Sequence, residues 1–260
     1  MNRIPRLAHI VFALGMMGLG VVLLVYGDFA MGWPAWLPGR HALAYVAAAI
    51  LLLGGAGLLF ARTAPIAARV LLPFLLIWMA LRVPALVMSP RIEVNWLAVG
   101  EIAVLAAGGW ALFADLSIER EGSALRFATG EGARRLIRIL FALSLLAFGL
   151  SHFIYNQETA ALVPAWLPFR KGWAYLTGGG HLAAGLGVLL SIHPRLAAAM
   201  EAAMLTIFTV VVWIPAIMAP SATRFAWSEL AISWAIAAGA WVVAGSFGAK
   251  GVNAPSQHTE

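Results

Sequence analysis

The sequence predicts an all-α integral membrane protein: eight transmembrane helices arranged as two parallel-repeat four-helix bundles. Three observations predict it. The apolar residues make up 62% of the 260 and the charged residues only 11%, with a mean hydropathy of +0.90. Soluble domains carry about half apolar and about a quarter charged residues, and one water-facing core has too little interior for such a chain. The apolar residues run continuously instead of alternating, which excludes a transmembrane β-barrel. Finally, Pro-Ala-Trp-Leu-Pro occurs at 34–38 and again at 164–168.

A span needs about 20 apolar residues. The segments that meet this are 7–27, 41–61, 68–88, 95–115, 135–156, 172–192, 196–218 and 227–248. The first follows Arg3 and Arg6, as a signal peptide would. It is too long for one and no small-x-small cleavage site follows, so it is expected to stay as a helix. Eight spans put both termini on one side. Eleven of the 17 Lys and Arg fall on that side, whereas Arg40, Arg91, Arg170, Lys171 and Arg224 fall on the other and Arg82 lies within the third segment. This bias places both termini in the cytoplasm, and the membrane is expected to be a bacterial inner membrane. The stretch 116–134 reads as a cytoplasmic linker between repeats 1–115 and 135–248, and 249–260 as a disordered polar tail.

Cysteine is absent, which excludes disulfides, thiolate catalysis, iron–sulfur clusters and cysteine zinc sites within the chain. The net charge of +6 does not point to nucleic acid, because the basic residues flank apolar runs. The partner expected from composition is the lipid bilayer.

The two halves align beyond the pentapeptide. Arg6-Leu7 matches Arg135-Leu136, Phe12-Ala13-Leu14 matches Phe141-Ala142-Leu143, and Gly20 and Tyr26 match Gly149 and Tyr155. Further on, Gly55 and Gly57 match Gly185 and Gly187, Pro84-Ala85 matches Pro215-Ala216, and Trp96 and Trp110 match Trp227 and Trp241. A near-constant offset over this many positions is the mark of an internal repeat. An even number of spans per copy gives both copies one orientation, related by an axis along the membrane normal. The repeated pentapeptide is expected at the outer interface, where tryptophan favours the headgroups, as a rigid anchor or a lid.

The second half resembles the DoxX family. The resemblance rests on Gly149-Leu150-Ser151-His152-Phe153, Val163-Pro164-Ala165-Trp166-Leu167-Pro168, and Trp173 to Gly178 followed by His181 and Gly185-Leu186-Gly187. It implies a four-helix membrane bundle and a link to quinone-coupled respiratory oxidation. The chain departs from the family in being duplicated, and in carrying His181 where many relatives carry an acidic residue.

Ionisable groups at membrane depth cost about 2.5–3.5 kcal/mol on insertion scales, so these are the informative residues. His181 lies about nine residues into its span, roughly 14 Å at about 1.5 Å per residue. Gly178, Gly179 and Gly180 leave space beside it, for a neighbouring helix or for a planar ligand. His152 and Tyr155 are spaced to share a helix face. Glu229 lies shallow in the last span. Arg82 and Glu101 are expected to form a structural ion pair within repeat one. Glu201 reads as structural, favoured near a helix N-terminus. In the other copy His152 aligns with Leu23, His181 with Leu51 and Glu229 with Ala98. Any chemistry is therefore expected in repeat two, toward the outer leaflet, with His152, Tyr155, His181, Trp213 and Glu229 as ligand-binding residues and Trp173 as a further flat wall.

Two functions follow as expectations. The first is a quinone-linked redox accessory role: no cofactor is built in, no metal is held, quinone is the small molecule, and a partner subunit supplies or takes the electrons. The alternative is a non-enzymatic assembly, lipid-binding or small-solute transport component.

Overall fold

The helix ends are written in the sequence. Proline stands in the first turn of α3 (Ala64–Met88), as Pro65, and of α9 (Pro194–Phe208), as Pro194, where its missing N–H costs nothing. Gly39, at φ 66°, takes the left-handed conformation before α2 (Arg40–Leu58). The Thr223 hydroxyl accepts from the Ala226 N–H at 3.3 Å and caps α11 (Arg224–Ser246). The remaining helices are α1 (Leu7–Tyr26), α4 (Glu93–Ser117), the short α5 (Arg126–Thr129), α6 (Glu131–Ile154), α7 (Asn156–Leu162), α8 (Arg170–Leu189) and α10 (Ile214–Met218). A π-helical turn, Thr209–Trp213, joins α9 to α10. The computed structural model describes residues 7–28, 37–117 and 126–247, and among them all regular structure is helical. The expected tail at 249–260, most of the first Pro-Ala-Trp-Leu-Pro and the middle of the expected linker lie outside the described residues.

Seven helices are long and apolar enough to cross a membrane: α1, α2, α3, α4, α6, α9 continued through α10, and α11. The chain is thus a multi-pass membrane protein. The eighth expected span, at 172–192, corresponds to α8, which is 20 residues long but is not among the seven. Arg170, Lys171, Thr177, three consecutive glycines and His181 dilute its hydropathy. The linker is also shorter than expected, since α6 starts at Glu131, where a carboxylate suits a helix N-terminus. The Trp110 indole donates to the Ala128 carbonyl at 2.8 Å and ties α5 to α4.

The helices form a closed circuit in which α2 packs on α1 and α3, α4 on α3 and α6, α8 on α6 and α9, and α11 on α9 and α1. Helices α4 and α11 also pack on each other across the middle, and they are the two most buried of the apolar helices. Each half therefore closes through the fourth helix of the other half and is not a bundle standing alone. A Cβ on Gly108 would lie 2.6 Å from the Gly239 Cα, so this central crossing brings backbone against backbone.

Corresponding glycines serve corresponding contacts. A Cβ at Gly20 would strike Leu52 and the Ala48 carbonyl, and one at Gly149 would strike Leu182 and the Gly178 carbonyl. Gly55 sits against the Ala13 carbonyl as Gly185 sits against the Ala142 carbonyl. Small residues of this kind let membrane helices approach closely. The halves are latched where Asp28 receives Arg40 in a fork, Nε at 2.9 Å and Nη2 at 3.0 Å. Arg224 donates to the Asp28 carbonyl at 3.2 Å and lies over the Tyr26 ring.

Candidate ligand cavity of the second half

One cavity of about 710 Å³ opens in the second half. Its walls come from α6, α7, α8, α9 with the π-helical turn, and α11, and from Leu97 and Glu101 on α4. Apolar side chains dominate: Phe148, Leu176, Met204, Phe208, Trp173 and Trp213. The second pentapeptide supplies Pro164, Trp166 and Leu167 to the wall, so it borders the cavity, and its turn is closed by the Leu167 N–H donating to the Pro164 carbonyl at 3.0 Å. Volume and lining are those of a small-molecule site, which is mostly apolar with a few placed polar groups.

Four of the five expected ligand residues, His152, His181, Trp213 and Glu229, line this cavity. The two imidazoles meet, their ring centroids 4.8 Å apart. Gly178 is the reason. A Cβ there would lie 2.8 Å from the His152 Cβ, so α8 approaches α6 at that point. Gly180 packs against Met204, whereas Gly179 faces open space.

Tyr155 is not among the lining residues. Helix α6 ends at Ile154, and Tyr155 occupies the break before α7 with φ −103° and ψ 41°. The three-residue spacing from His152 therefore does not place it on the same face. Glu101 has neighbours beyond its expected partner Arg82. It attracts Arg82 electrostatically, as an ion-pair partner would, yet it lines the cavity and acts on Glu229 as well. The carboxylates of the two central helices thus share one space.

Sequence reasoning missed Glu201. It lies two turns into α9, not at the helix start, and is 1% exposed. The His181 Nδ1 donates to its Oε1 at 2.7 Å. The His152 Nδ1 donates to the Phe148 carbonyl at 2.8 Å. Both imidazoles spend Nδ1–H on the protein, which leaves each neutral ring with Nε2 as an acceptor. Phe148 and Phe208 hold the pair edge-on and stacked, with centroids 5.7 Å from His181 and 6.2 Å from His152 respectively.

The π-helical turn supplies Val211, Val212 and Trp213 to the wall. Before it, buried Ala198, Glu201 and Ala202 fall 130 positions after buried Ala68, Leu71 and Leu72. Beyond it, Pro215 falls 131 positions after Pro84. A π turn absorbs one extra residue within a helix, and such turns gather at functional sites. The one-residue shift in the repeat offset was the available sequence signal for it.

Among the described residues, no group of three or more His, Asp or Glu is placed to hold a metal ion. A family described as a domain of unknown function (DUF8561) matches residues 141–244, which covers all five expected ligand residues. No curated protein and no solved structure matches the chain.

Proposed function

We propose that this is a DoxX-like protein of the bacterial inner membrane, with eight spans, a parallel tandem repeat and cytoplasmic termini, whose second half binds a quinone-type head group. The eighth span is α8. Its polarity is no obstacle, because His181 is buried against Glu201, and Gly178, Gly180 and Gly185 pack against neighbouring helices. The single observation that carries the reading is the meeting of His152 and His181 in an aromatic-walled cavity with Glu101 and Glu229.

Those groups favour the reduced head group. The two Nε2 atoms are acceptors, and a hydroquinone brings two O–H donors. On oxidation it loses two protons and two electrons. The imidazoles take the protons, a task suited to a side chain with reference pKa near neutrality. The electrons pass to a partner subunit, which makes this chain an accessory component of a redox assembly.

Titration of the full chain in nanodiscs with a short-chain benzohydroquinone tests the reading. Trp173 and Trp213 line the cavity, so binding should quench tryptophan fluorescence saturably. His152→Ala should weaken binding roughly tenfold, the loss of about one hydrogen bond to a charged or strongly polar group. Quenching that is linear in concentration, and equal in the variant, rejects the proposal.

A further inference from the structure

We propose that Glu201 is a positioning residue, which fixes the His181 proton on Nδ1 so that the imidazole meets the cavity with a bare Nε2. This rests on the reading of the cavity as a proton-accepting site. Three observations support it. Glu201 is not among the cavity-lining residues, yet it holds the His181 Nδ1 at 2.7 Å with both side chains almost wholly buried. Its second oxygen, Oε2, is buried without a partner, so the carboxylate is directed at His181. In the first half, the positions 130 residues earlier are Leu51 and Leu71, 0% and 1% exposed.

The third observation separates function from architecture. At the corresponding positions α2 and α3 carry two buried leucines, where α8 and α9 carry an imidazole and a carboxylate. A buried ionisable pair is often no more stabilising than apolar residues of similar volume. Holding the fold together therefore does not account for this pair, and setting the state of His181 does.

The chemistry follows from the donor inventory. A carboxylate only accepts, so the proton must sit on Nδ1 and the lone pair on Nε2. A carboxylate behind an imidazole fixes its tautomer and stabilises the imidazolium that forms when Nε2 takes a proton. His152 reaches the same tautomer through a neutral carbonyl, that of Phe148, which stabilises an imidazolium less. His181 is thus the better proton acceptor of the two. In the step itself an O–H bond of the ligand breaks and an N–H bond forms at the His181 Nε2. The electrons leave with the redox partner subunit already invoked.

Nitrogen-15 NMR of histidine-labelled full-length protein in nanodiscs tests this without any ligand. The His181 resonances are assigned by their absence from H181L/E201L, a variant that copies the leucine pair of the first half. Wild type should show Nδ1 protonated and Nε2 bare. E201Q, whose side-chain carbonyl can still accept, should keep that tautomer. E201L should shift the proton toward Nε2 and weaken benzohydroquinone binding roughly tenfold or more. Wild type with the proton on Nε2, or E201L with an unchanged spectrum, overturns the proposal. Should E201L fail to fold, the wild-type and E201Q spectra still decide it. A tautomer switch in a protein that binds no hydroquinone would leave the role of Glu201 standing and remove the proposed function instead.

Discussion

The two halves of this chain build the same helix crossings with different interiors. Where the first half packs Leu51 and Leu71, the second packs His181 and Glu201. Where the first runs α3 unbroken through Arg82, the second inserts a π-helical turn ending at Trp213. The cavity opens in the second half, with only Leu97 and Glu101 lent by the first. The lesson is that the polar groups of the second half are not needed to make this architecture. The glycine contacts common to both halves make it, and the groups peculiar to one half are free to do something else.

That contrast can be broken at the centre, where the two halves depend on each other. Gly108→Val should have the largest effect. Its side chain would meet the Gly239 backbone, and overpacking of this kind costs about 3 kcal/mol or more. Thermal unfolding in detergent should show one transition lowered for the whole protein. Two transitions, only one of them shifted, would mean that the halves are independent. Next in size is the transplant L51H/L71E, which brings the ionisable pair into the first half. It should cost about 2 kcal/mol, since the leucine packing there is complete and the new pair must be desolvated.

Arg40→Ala removes the fork on Asp28 and should cost about 1 kcal/mol, the upper range for a partly exposed pair. Chemical denaturation with and without added salt should show that cost shrinking as salt rises. Least disruptive is H181L/E201L, expected within about 1 kcal/mol of wild type because it rebuilds the first-half interior. A large loss of stability there would return the pair to a structural role.

Much of this was legible in the sequence, for a physical reason. Continuous apolar runs fix spans, and ionisable residues inside them are too costly to be incidental. Hence His152, His181, Glu229 and the aromatic Trp213 were identifiable, and they converge. What failed was inference from spacing along one helix. Tyr155 lies past the end of α6, so the helical period no longer applied to it. Glu201 was read by its distance from a helix start, which says nothing of the neighbour it faces. Glu101 was matched with Arg82, which it does attract, but its place in the cavity wall was not legible because α4 packs on both halves. In α8, Thr177 and His181 both line the cavity and lower the hydropathy of the helix.

The most direct test of the central claim is mass spectrometry of small molecules that leave the membrane with the protein in native nanodiscs. Wild type should carry a quinone or hydroquinone in near-stoichiometric amount, H181L/E201L should carry little, and L51H/L71E should match wild type because its second-half cavity is intact. A cavity filled by phospholipid alone, or equal quinone in wild type and H181L/E201L, would contradict it.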